Sequence, residues 1–178
     1  GLAMGAHRGL LIEAEGRVET LAVAKLLAKV VAEEQPDLVL LGKQAVDDDS
    51  NQVGQMLAGL LGWPQATFAS AIAVTADGLE VTREVDYGTL TVAVPLPAIV
   101  SADLRLNTPR NAALPMVMKA RQKPLAVRPV AEFGVDIAPR LTIERVSPPA
   151  ERVAGRTLAS ASDLVAVLKT EPAELEAI

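Results

Sequence analysis

Apolar positions along the chain alternate between helical and strand spacing, and the switches mark out an α/β order. Val23, Leu26, Leu27, Val30 and Val31 fall on one stripe, so roughly residues 18 to 34 form a helix closed by Pro36, the first clear element. Leu38-Val39-Leu40-Leu41 is an unbroken apolar run, which suits a parallel strand covered on both faces; Gly42 breaks it. Val53, Met56, Leu57, Leu60 and Leu61 return to helical spacing, with Ser50 or Asp49 placed to cap the start and Gly62 and Pro64 to end it. Ala66 to Val74 reads as a strand, Asp77-Gly78 as a tight turn, and Leu79 to Asp86 as a strand with Leu79, Val81 and Val85 on one face. A turn at Tyr87-Gly88 leads to Leu90, Val92 and Val94, completing an antiparallel meander. Ala98-Ile99-Val100, set off by Pro95 and Pro97, is another covered strand running into Ser101-Ala102-Asp103. The predicted sheet is therefore mixed and largely parallel. Ala112 to Lys119 is a short helix that tolerates Pro115 only in its first turn. The pattern loosens after Leu141-Thr142-Ile143, Pro148-Pro149 punctuates it, and Asp163 to Lys169 makes a last short helix. This divides the chain into an α/β domain over 1–146 and a C-terminal arm over 147–178.

The segment Gly42, Lys43, Gln44, Ala45, Val46, Asp47, Asp48, Asp49, Ser50, Asn51, Gln52 and Val53 carries a strand end into a helix start. Unpaired N–H groups and the positive end of the helix dipole favour an anion there. Three consecutive aspartates oppose a phosphate, so they accept bonds from backbone N–H groups, from Lys43 or from a ribose. The loop is not a P-loop, because no Gly-Lys-Ser/Thr precedes the helix. A nucleotide site and a merely solvated, capped turn both remain open on the residues alone. A metal held by the three aspartates is disfavoured, since sequence neighbours seldom converge on one ion.

Composition narrows the function classes. The chain has no cysteine and a single histidine, His7, so disulfides, thiolate or Ser-His catalysis and zinc sites lack their parts. No apolar run approaches the roughly 20 residues needed to span a bilayer, and nothing at the start reads as a signal peptide, which predicts a soluble protein. The chain opens without an initiator methionine, as a piece of a longer protein would. Its net charge of -5 conceals a basic island: Arg105, Arg110, Lys119, Arg121, Lys123 and Arg128 lie between Asp103 and Glu132 with no acidic residue among them. Such an island steers a negatively charged partner. Nucleic acid is disfavoured by the acidic total and the scarcity of aromatic residues. Leu114, Met116, Val117 and Met118 give helix 112–119 more apolar surface than one buried face needs. A core contact is the expectation from these residues; an exposed apolar anchor is the alternative.

Longer stretches resemble the beta subunit of the electron transfer flavoprotein family. Leu40-Leu41-Gly42-Lys43-Gln44-Ala45 through Asn51-Gln52 and Gly62-Trp63-Pro64-Gln65-Ala66-Thr67-Phe68-Ala69-Ser70 resemble that family's adenylate-binding region. Ala102-Asp103-Leu104-Arg105-Leu106-Asn107, Pro109-Arg110, Leu114-Pro115 and Met118-Lys119-Ala120 resemble its signature and recognition loop. The resemblance runs from Leu2 to the C-terminal helix. It implies a Rossmann-like adenine-nucleotide-binding domain in an αβ heterodimer, with FAD held mainly by the alpha subunit and a structural AMP by the beta subunit. The pair would accept electrons from acyl-CoA and related dehydrogenases and pass them to a membrane quinone oxidoreductase, in the cytoplasm of a bacterium or the mitochondrial matrix of a eukaryote. This subunit would be a carrier component with no catalytic residue.

The same resemblance assigns Gly42 to Val53 as the AMP loop, with Ala45, Asp48, Asn51 and Gln52 nearest the phosphate. It assigns Arg110, Asn111, Ala112, Ala113, Leu114, Pro115, Met116, Val117, Met118 and Lys119 as the partner-recognition loop, with Leu114 the anchor, which reverses the core-contact expectation. Glu84 matches an acidic position that touches the mobile FAD domain; a charged residue on the outer face of a strand is its bland reading. Val53 stands where many relatives have threonine, Tyr87 where glycine is usual, Asn111 for an aromatic and Met116 for an asparagine. The family's opening strands and helix have no counterpart here. Two other functions are weighed. One is an electron-bifurcating relative with a second FAD in place of AMP, which the Asp47-Asp48-Asp49-Ser50-Asn51 wording disfavours. The other is a magnesium-dependent nucleotide-using enzyme, for which only the acids are evident.

Overall fold

A computed structural model of the chain describes residues 1–151 and 155–170, so parts of the expected C-terminal arm, 152–154 and 171–178, lie outside the described residues. The elements are β1 (Gly9–Glu13), α1 (Thr20–Glu34), β2 (Leu38–Gly42), α2 (Val53–Leu61), β3 (Gln65–Thr75), β4 (Gly78–Val85), β5 (Gly88–Val94), β6 (Ala98–Ala102), α3 (Leu114–Ala120), β7 (Leu125–Pro129) and α4 (Ala161–Thr170), with a 3-10 turn over Val130–Phe133. Two compact units divide at Thr142 and Ile143. In the second, α4 begins at Ser160, whose hydroxyl accepts the Asp163 N–H at 3.2 Å and donates to the Asp163 carboxylate at 2.8 Å, a reciprocal cap.

The first unit is α/β with a mixed sheet in the order β2-β6-β3-β4-β5. β6 is parallel to both β2 and β3, while β3, β4 and β5 form the antiparallel meander. Alternation along β6 splits the core. Ile99 points to one face, where Ala24 of α1 and Leu57 and Ala58 of α2 cover it. Ala98 and Val100 point to the other, among Ala66, Ala69, Leu79, Val81 and Val94. Burying Leu57 and Ile99 completely stabilises the helix layer by about 1.5–3 kcal/mol for each side chain.

The structure corrects several expectations. The apolar run of β2 is not covered on both faces: Val39 and Leu41 pack against the helix-side core while Leu40 is exposed, and the strand also lies at the sheet edge. The hairpin turns sit one residue earlier than expected, at Ala76-Asp77 and Asp86-Tyr87, with Gly78 and Gly88 opening the next strands. The first element is a strand, not the helix: β1 pairs in parallel with β7 as a separate two-stranded sheet, Gly9 opposite Leu125. Gly62 does end α2, in the left-handed conformation at φ 66°.

Gly78 has a stricter requirement. At φ +143° an added Cβ would lie 2.4 Å from the Val94 carbonyl oxygen and 3.0 Å from Pro95 Cα, both backbone atoms that cannot turn aside. Gly78→Ala is expected to lose about 2–4 kcal/mol in urea unfolding. Gly62→Ala, with open space around its Cβ, serves as the reference, and an equal loss in the two would show that the β4 entry adjusts.

Candidate functional site

Parallel β2 and β6 are in register with Gly42 opposite Ala102, so their C-terminal ends deliver Lys43 and Asp103 side by side. Lys43 Nζ donates to Asp103 Oδ2 at 3.1 Å, and the Arg105 backbone N–H donates to Asp103 Oδ1 at 3.1 Å. Asp103 is buried, which alone would disfavour its charge. The Arg105 N–H and the Lys43 ammonium outweigh that burial and hold the carboxyl below the ordinary aspartate value. Lys43 therefore serves Asp103 and not the aspartate triplet, contrary to the alternative in which it bonds Asp47, Asp48 or Asp49.

The bend that seats Lys43 comes from β3. Between Ala66 and Ala69 the register with β6 shifts, and Phe68 adopts a left-handed φ of 59°, unusual for an aromatic residue. The Phe68 N–H donates to Ser101 Oγ at 3.1 Å, and Arg83 Nε donates to the Thr67 carbonyl at 2.7 Å, so the bulge is held from both sides. Its ring lies 5.5 Å from Lys43 Nζ, within cation–π range.

The loop 42–53, except Val46 and Asp49, lines a cleft of about 420 Å³ together with Thr20 and Val23 of α1; Val46 points to solvent. The expected cap by Ser50 or Asp49 is not formed. Gln52 occupies the cap position with no side-chain bond to the helix, and the first helical bond runs from the Met56 N–H to the Gln52 carbonyl. The N–H groups of Val53, Gly54 and Gln55 are left without an intrahelical partner beside the cleft. Two of the three aspartates build the loop: the Asp48 carboxylate accepts the Ser50 N–H at 3.1 Å, and Asp49 accepts from the Gln44 amide, while Asp47 lines the cleft. Asp49 and Asn51 take left-handed φ values of 53° and 50°, which their short polar side chains tolerate. Among the described residues no group of three His, Cys, Asp or Glu is arranged to hold a metal ion.

The recognition-loop residues lie elsewhere on the surface. Every residue from Arg110 to Lys119 is exposed, and α3 buries none of its side chains; Leu114 is 73 % exposed. The core contact expected from the residues alone is thus overturned. The basic island is also partly spent: Arg128 pairs with Glu33 and Glu132, Lys123 donates to the carbonyls of Leu2 and Ala6, and Arg105 pairs with Glu84. Glu84, on β4, lines a smaller cavity of about 240 Å³ with Lys43, Phe68, Asp103 and Arg105. The sequence marks Glu84, and Phe68 as part of the adenylate-like stretch, but not the left-handed bulge at Phe68 nor the pairing of Lys43 with Asp103. The signal for the pair was present, since each residue follows its strand's last member by one position.

A parallel strand pair ending in a polar loop at an open helix start defines the class, an α/β protein with a cleft at the C-terminal ends of its parallel strands. Comparison with known proteins carries this further. The chain matches the Electron transfer flavoprotein domain over residues 1–133. It is similar to the Electron transfer flavoprotein subunit beta of Bradyrhizobium diazoefficiens, 58 % identical over 171 residues that cover 96 % of this chain and 69 % of that one. The human Electron transfer flavoprotein subunit beta is 51 % identical over 172 residues, 94 % of this chain and 68 % of that one. The mitochondrial one of Arabidopsis thaliana is 47 % identical over 173 residues, 96 % of this chain and 69 % of its own. The chain belongs to the electron transfer flavoprotein family, as a beta-subunit member, and its role is electron transfer. No described helix is long and apolar enough to cross a membrane.

Proposed function

We propose that the chain is the AMP-holding, partner-docking subunit of an electron carrier. With a flavin-bearing alpha subunit it accepts electrons from acyl-CoA and related dehydrogenases and passes them to a membrane quinone oxidoreductase. It carries no catalysis of its own, and it works in a bacterial cytoplasm or a mitochondrial matrix. Residues 1–146 supply the nucleotide domain and 147–178 an arm.

The observation that carries the AMP reading is the 420 Å³ cleft bounded by the uncapped start of α2. Its volume falls within the range of about 300–1,000 Å³ usual for small-molecule sites. The N–H groups of Val53, Gly54 and Gln55 would take the phosphate, with Ala45 and Asn51 nearby and Asp48 keeping the loop in shape. FAD, when bound in the partner subunit, supplies the redox chemistry; AMP supplies none. This chain's residues orient and dock: Glu84 contacts the flavin-bearing domain, and Leu114 enters a pocket on the dehydrogenase. The exposed α3 supports the docking role, because Arg110, Lys119 and Arg121 around it make no side-chain ion pair among the described residues.

The test is to denature the purified heterodimer and chromatograph the released nucleotides. One FAD and one AMP per heterodimer are expected. Two FAD with no AMP would replace this reading by the bifurcating one, and ATP turnover lost on replacing Asp48 would replace it by a magnesium-dependent enzyme.

A further inference from the structure

Glu84 already has a cation within its own chain. Arg105 Nη1 donates to Glu84 Oε2 at 2.9 Å. The two members differ in freedom: the Glu84 side chain, on β4, is 26 % exposed, and that of Arg105 is 63 % exposed. The Arg105 backbone N–H is held by the buried Asp103, whose other oxygen takes Lys43, and among the described residues its guanidinium bonds only Glu84. The largely exposed guanidinium is therefore tied by one contact on an anchored backbone. The adjacent cavity of about 240 Å³, with Asp86 at its wall, leaves room for a second cationic side chain to approach the same carboxylate.

We infer that Arg105 is a positioning residue that competes with a cation of the flavin-bearing partner for Glu84, making that contact an exchange of ion pairs; this rests on the assignment of Glu84 as the flavin-domain contact. A carboxylate without a resident counter-ion would gain a whole ion pair when the partner's guanidinium or ammonium arrives, and would hold it. With Arg105 in place one pair is traded for another, the net gain is small, and release is fast. A carrier whose flavin domain must move between partners needs a contact of that kind. An exposed ion pair shifts such a balance by about twofold to fivefold.

The experiment is a mutant cycle in the complete heterodimer, with E84A, R105Q, R105K and E84A/R105Q. Flavin reduction by a substrate-reduced acyl-CoA dehydrogenase is followed by stopped flow at several salt concentrations. R105Q is expected to move the rate about twofold to fivefold in the direction opposite to E84A, with R105K close to the unsubstituted protein. In the E84A background R105Q is expected to add nothing. An R105Q effect of the same sign as E84A, or one that persists without Glu84, overturns the competition. An unchanged R105Q beside an altered E84A overturns it while leaving the Glu84 assignment standing. An unchanged E84A removes the Glu84 assignment and the inference together. Flavin content and melting midpoint, which the exposed Arg105 is not expected to move, separate these outcomes from misfolding.

Discussion

Leu114→Ala will lower the efficiency of electron transfer from a dehydrogenase donor by about tenfold to hundredfold, with FAD and AMP content and melting midpoint unchanged. The magnitude follows from the position. Leu114 opens α3 and is 73 % exposed, so its truncation removes almost no contact within the chain. Alanine is at least as good a helix former, and the helix should persist. Any loss must come from a surface that Leu114 meets in a partner, and a central apolar anchor typically costs 2 kcal/mol or more on truncation, about thirtyfold. The loss is expected in the apparent KM for the donor dehydrogenase, and less in the maximal rate. Flavin lost from the variant would place Leu114 in the interface with the alpha subunit. An unchanged KM would make the exposed helix a feature of the isolated chain.

The layers that local pattern controls were legible in the sequence. β4 and β6 could be read because Leu79, Val81 and the run from Ala98 to Val100 carry strand spacing into a fully buried core. Helices α1 and α2 were legible from helical spacing over the same core, and α2 ends at Gly62 as its conformation requires. What failed depends on pairing over long distances. β1 and β7 are five residues each and more than a hundred positions apart, so neither Leu10-Leu11-Ile12 nor Leu125-Ala126-Val127 signals its partner. The apolar neighbours of Leu40 predict a strand covered on both faces, yet coverage depends on what packs over each face, and Leu40 is left exposed. The site shows the same division. Loop 42–53 was located by its polarity, but the choice of Asp103 over the nearby aspartates as Lys43's partner is made by β2–β6 register. The left-handed Phe68 leaves no trace in a segment that reads as plain strand.

Asp103→Ala is expected to cost about 2–3 kcal/mol in urea unfolding at pH 7, and Asp103→Asn about 1–2 kcal/mol. Removing one member of a fully buried pair costs more, about 3–5 kcal/mol, but the Lys43 side chain is 31 % exposed and can turn its ammonium toward water. Asparagine retains one acceptor for the Arg105 N–H but loses the charge together with the second oxygen that accepts from Lys43, so part of the site survives and the effect is smaller. The pH dependence isolates that charge. Asp103 is held below the unfolded aspartate value of about 3.9, so the folded state binds its proton less readily than the unfolded chain does. Its ionisation therefore adds stability throughout the range above the unfolded value, and that stability is lost as pH falls through the lowered folded value. Asparagine has nothing to titrate. The gap between the native protein and D103N should be constant from about pH 7 to pH 5 and close as the solution is acidified through and below the unfolded value. A gap that persists at low pH would mean that Asp103 acts by shape and hydrogen bonding alone. In that case the Lys43 ammonium would be held by Phe68 and solvent, and the strained bulge at Phe68 would carry more of the site's geometry than the ion pair does.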